Sequence, residues 1–300
     1  MGDSGWLQQY TFPAEKRFAD TALARRVCSK LVSKLLRNGT TTAVYFGSIH
    51  LDAAKALVDT CRAQGQRALV GKVAMDQHGA EGYVETTQEN LRDTEALIQY
   101  CYSCQPDAST EVERLVNPAV TPRFIPTCSE ELLIGLGALA AKYRERGCWV
   151  QSHIAESHDE IAFVEALFPG ERDAEIFDRA GLLTDRCVMA HGVHLNDEEL
   201  RTLSERGAGV ACCPLSNVFF AGGGEANTTV DLICLPPTLR SPVTIRSSNE
   251  FFAGGDFPLR RAQRMHSRVG LGTDVAGGYS PSMMSSCRTA VLASKVPRST

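Results

Sequence analysis

Apolar, β-branched runs alternate along the chain with segments in which apolar residues recur every three to four positions. The runs that predict strands are 40–46 (TTTAVYF), 67–75 (RALVGKVAM), 115–122 (LVNPAVTP), 148–154 (CWVQSHI), 186–191 (RCVMAH), 209–213 (GVACC) and 268–273 (RVGLGT). Helical periodicity covers roughly 51–64, 87–103, 129–145, 157–168 and 196–206. Two of these helices open on capping-box spacings, Ser157 with Glu160 and Asn196 with Glu199. In each, the first side chain accepts from a backbone N–H and the glutamate reaches back. Strand and helix alternating at this rhythm predict a parallel sheet, either doubly wound or closed into a barrel. No GxGxxG follows the first strand. Polar residues stand instead at the C-terminal ends of several strands: Arg123, His153, His191 and Asp274. In a barrel such ends converge on one mouth, whereas a doubly wound sheet gathers only those near its switch point. Seven strands are counted, one fewer than a (β/α)8 barrel needs.

The rhythm breaks over 214–267. The octapeptide SNVFFAGG at 216–223 recurs as SNEFFAGG at 248–255, and the Pro-rich stretch between carries neither period. A single recurrence is not a solenoid signature. The reading is one domain over 1–300 carrying an insertion at 218–249, expected to be a disordered loop.

Composition narrows the class. At 300 residues, 43% hydrophobic and 22% charged, the chain can bury one large core. A net charge of −4 with scattered basic residues gives no reason to expect nucleic acid or a membrane surface as partner. No apolar run approaches the roughly 20 residues of a membrane span. Eleven cysteines, an odd number, and an N-terminus without an apolar stretch point to the reducing cytosol. Cys101 and Cys104 lie on a helix with no second pair nearby, and read as core thiols rather than a zinc or redox pair.

His153, His191 and Asp274 are residue types that bind zinc or a similar ion, and Glu156 is a type that moves protons on activated water. One histidine at a strand end is commonly structural, and an aspartate there can cap a helix; four such groups at strand ends favour a metal site.

The segments WLQQYTFPAEKRF (6–18), LLRNGTTTAVYFGSIH (35–50), TPRF (121–124), QSHIAES (151–157), VMAHGVHL (188–195) and GLGTDVAGGYSPSM (270–283) resemble guanine deaminases, zinc aminohydrolases of the amidohydrolase superfamily. The resemblance implies a (β/α)8 TIM-type barrel, one zinc ion, a homodimer, and hydrolysis of guanine to xanthine and ammonia. Carried over by motif, it implies His153 and Asp274 as zinc ligands and Glu156 as the proton shuttle. It makes His191 the residue that orients water, Asp274 also a base, and Arg123 and Phe124, with His153, Glu156 and Asp274, the purine contacts. An arginine offers donors to a purine carbonyl, and an aromatic ring packs on the purine face.

Three departures accompany the resemblance. The family's His-x-His strand, with two further ligands, lies upstream of the YTFPAE motif, which here begins at Tyr10, and no His-x-His occurs among the seven histidines. The family continues past this chain's end into a small β domain. Leu215 stands where the family's CPNSN has Asn. The barrel is therefore expected to lack its first strand and the small domain, and 1–300 by itself to be inactive. Two alternatives are a related amidohydrolase acting on another aminated heterocycle and a non-catalytic form that binds an intact subunit.

Overall fold

A computed structural model describes residues 6–220 and 257–293. Eight strands form one parallel sheet: β1 (Thr42–Phe46), β2 (Arg67–Gly71), β3 (Val73–Ala74), β4 (Val116–Pro122), β5 (Trp149–Ile154), β6 (Cys187–His191), β7 (Gly209–Cys212) and β8 (Arg268–Leu271). Their order is β1-β2-β4-β5-β6-β7-β8, with β3 beside β4. Each predicted strand is present. The single run at 67–75 is two strands because Lys72 interrupts it, its buried Nζ donating to Asn90 Oδ1 at 3.3 Å and pairing with Glu85.

The helices are α1 (Phe12–Lys16), α2 (Thr21–Arg37), α3 (Leu51–Gln64), α4 (Thr87–Ser103), α5 (Glu130–Tyr143), α6 (His158–Leu167), α7 (Asp173–Arg179), α8 (Asp197–Arg206), α9 (Pro214–Phe220), α10 (Leu259–Arg264) and α11 (Met283–Ala293). The periodic segments correspond to α3, α4, α5, α6 and α8. The Asn196–Glu199 capping box forms in full. The Ser157 box forms by half: Ser157 accepts from Glu160 N, but Glu160 Oε2 reaches Glu156 N at 2.6 Å instead. Helix α2 was not apparent from the strand–helix rhythm because no strand precedes it. It is capped by Asp20, which accepts from Ala22 and Leu23 N–H, and it buries Ala24, Val32 and Leu35. Cys101 is buried in the core and Cys104 lies at its margin. Of the segment 218–249, residues 218–220 close α9 and the rest falls outside the described residues.

The sheet is curled. Gln151 on β5 is fully buried, and its Nε2 donates to the Tyr45 carbonyl on β1 at 2.7 Å, although β2 and β4 stand between those strands in the sheet order. Side chains two apart on a strand share a face, so His153 faces the same interior as Gln151. Strands β1 and β8 end the order without pairing with each other among the described residues. Both line a cavity of about 890 Å³, which α1, α2 and the residues before α1 wall through Trp6, Tyr10, Glu15, Leu31 and Leu35.

Candidate active site

Six residues singled out at strand ends and in their flanking turns, Arg123, Phe124, His153, Glu156, His191 and Asp274, line this one cavity. Parallel pairing explains why two of them meet. His153 lies opposite Ala190 and Ile154 opposite His191, so the two imidazoles end neighbouring strands and stack with centroids 5.4 Å apart and planes 17° apart. At or just past the strand ends the backbone turns left-handed at Ala155 (φ 46°), His191 (φ 71°) and Asp274 (φ 48°). Such φ values are uncommon in residues other than glycine and gather at functional sites.

The His153 Nδ1 donates to the Arg123 carbonyl at 2.6 Å, because a carbonyl oxygen can only accept. Burial, followed by neighbouring His191, lowers the His153 pKa to about 3, opposed by that hydrogen bond. The ring is therefore neutral, with its Nε2 lone pair available. An imidazole tied back to a backbone carbonyl in this way is the usual condition of a metal-ligating histidine. His191 is buried, and its Nδ1 lies 2.9 Å from Asn217 Oδ1 while its Nε2 lies 3.4 Å from Glu156 Oε1. Glu156, His191 and Asp274 each offer a ligand atom within 4.8 Å of the others. That trio differs from the ligand pair His153 and Asp274 implied by the resemblance, with His153 standing beside it through its stack on His191.

Arg123 has a protein partner within the cavity that its motif does not name. Its Nη1 and Nη2 donate to the two oxygens of Glu15, at 3.0 and 2.5 Å, and the guanidinium lies 5.1 Å from the centroid of the Phe12 ring. Glu15 lies inside the quoted YTFPAEKRF segment, but nothing in the sequence links it to a residue 108 positions away. Asn217, Phe46, whose ring is 4.3 Å from that of His153, and Asp173, described below, likewise carried no spacing signal.

Parallel strands whose C-terminal ends carry imidazoles and carboxylates into one cavity define the TIM-type α/β class. The sequence profile of the Amidohydrolase family matches residues 5–299, and the chain belongs to that family. It is 40% identical over 293 residues to the guanine deaminase of Rattus norvegicus, covering 97% of this chain and 55% of the relative. It is 35% identical over 290 residues to that of Dictyostelium discoideum, covering 96% of this chain and 55% of the relative. Among solved structures, guanine deaminase from C. acetobutylicum with guanine bound in its active site superposes with a TM-score of 0.79 at 31% identity, covering 97% of this chain and 60% of that one. The E. coli guanine deaminase gives 0.80 at 29%, covering 98% and 59%. The chain thus spans about half the length of the curated relatives it matches. No helix among the described residues is long and apolar enough to cross a membrane.

Proposed function

We propose that this site serves zinc-assisted hydrolytic deamination of guanine to xanthine and ammonia. The observation that carries the reading is the meeting of Glu156, His191 and Asp274 within 4.8 Å at the wall of the cavity, with a neutral, tied-back His153 stacked beside them. This set of imidazole nitrogens and carboxylate oxygens suits zinc. His153 and Asp274 would hold the ion, with His191 alongside. When bound, the ion supplies Lewis-acid activation of a water molecule.

The chain's own groups divide the remaining work. Asp274 takes a proton from the attacking water. His191 orients that water, its ring fixed at Nδ1 by Asn217. Glu156, facing His191 Nε2 at 3.4 Å, delivers a proton to the purine ring nitrogen and then to the departing amine. Water thus adds its oxygen to the carbon, the carbon–nitrogen bond breaks, and ammonia leaves. Arg123 donates to an acceptor of the purine and Phe124 packs on its face. The ten cysteines of the described residues are free, which suits the reducing cytosol.

The test is calorimetric titration of purified 1–300, with zinc in excess, against guanine, adenine and cytosine. Guanine binding with the other two rejected supports the reading. Tighter binding of another aminated heterocycle replaces guanine with that substrate.

A further inference from the structure

The strongest unassigned feature of the cavity is the carboxylate that faces Arg123. Glu15 meets the guanidinium with both oxygens, and the side chains of the pair are only 18% and 8% exposed. Glu15 Oε2 also accepts from Tyr83 Oη at 2.6 Å, and Tyr83 Oη accepts the Ile49 N–H at 3.3 Å, so the carboxylate is fixed from two directions. The buried Phe12, three residues earlier on the same helix, lies against the guanidinium. A bidentate pair of this kind is geometrically rigid.

Two consequences follow for whatever enters the cavity. Of the five N–H donors of a guanidinium, two are committed to Glu15 and three remain to meet acceptors. The pair carries no net charge, so Arg123 offers hydrogen bonds without offering a cation. An arginine alone in a half-buried cavity favours an anion strongly, since opposite charges in contact attract more at the lowered effective dielectric of such a site than in bulk water. We infer that Glu15 is a positioning residue that sets selectivity: by neutralising and clamping Arg123 it makes the cavity accept an uncharged, carbonyl-bearing heterocycle and refuse an anionic one of the same size. This rests on the proposed reading that the cavity takes a purine.

The experiment compares guanine, neutral at pH 7, with urate, a monoanion of similar shape, as calorimetric ligands of zinc-supplemented 1–300, of Glu15→Gln and of the double variant Glu15→Gln with Arg123→Gln. Wild type is expected to bind guanine at least about tenfold tighter than urate, a ratio that ten times the urate affinity would erase. Glu15→Gln should gain about tenfold or more for urate while guanine changes by less than about threefold. The double variant, which leaves no charge unpaired, should lose the urate gain. Equal weakening of both ligands in Glu15→Gln, or a urate gain that persists in the double variant, would make Glu15 structural and overturn the inference alone. Failure of the wild type to bind guanine would instead remove the purine reading, and this inference with it.

Discussion

Asp173, the first residue of α7, accepts the backbone N–H of Ala155 through Oδ2 at 2.9 Å. Ala155 is the left-handed residue between His153 and Glu156, so a carboxylate 18 positions along the chain fixes the turn that places both. Asp173 is buried, and burial raises its pKa from 3.8 to about 6 against the opposing Ala155 hydrogen bond, with Glu199 adding to the rise.

Between pH 4 and 6 the folded state holds a proton on Asp173 that the unfolded state has released. Its contribution to stability is therefore present at low pH and is lost as pH rises through about 6. Relative to Asp173→Asn, which keeps an acceptor for Ala155 but does not titrate, wild type should gain up to about 1.4 kcal/mol per pH unit on acidification across that window. Urea denaturation of both proteins at half-unit steps measures the difference; parallel curves contradict it.

Glu156→Gln keeps the size of the side chain and removes its ability to carry a proton. Zinc content after dialysis should match wild type. At the matching glutamate of an intact guanine deaminase relative, the same change should lower the rate of guanine turnover about 10²- to 10⁴-fold. Zinc lost together with activity makes Glu156 a ligand.

Purified 1–300 with added zinc is expected not to convert guanine to xanthine. A single group of three metal-competent side chains occurs among the described residues, and β1 and β8 leave unpaired edges beside it. Turnover near that of an intact relative would show the ligand set to be sufficient. Co-purification with a full-length guanine deaminase subunit would favour a binding role for 1–300.

Lys72 and Glu85 test the interior away from the site. Burial lowers the pKa of Lys72, and Glu85 is the main group that opposes this. Glu85→Ala leaves an uncompensated buried ammonium and should cost about 3–5 kcal/mol. Adding Lys72→Met should recover a large part of that loss, as read by chemical denaturation. A double variant no more stable than Glu85→Ala means the pair is not the source of the cost.

How much of this was legible depends on the distance over which a contact acts. Strand runs and helix periods are local, so each predicted strand appears, and β5 and β6 bring His153 and His191 together as their strand-end positions implied. Contacts between residues far apart in sequence were not readable. Glu15 with Arg123, Asp173 with Ala155 and Asn217 with His191 depend on how the sheet curls, and no residue spacing records that. Glu160 shows the same limit at short range: the capping-box spacing is present, yet its carboxylate accepts from Glu156 N, the residue just past left-handed Ala155.

The bond from Gln151 to the Tyr45 carbonyl spans the inside of the sheet like a chord across an arc. A closed barrel sets its width by strand count and stagger around the circumference. Here the spacing between β1 and β5 is also held directly, by one amide and one carbonyl inside the curl. The two strands are thereby tied to each other without relying on the pairing of every strand between them.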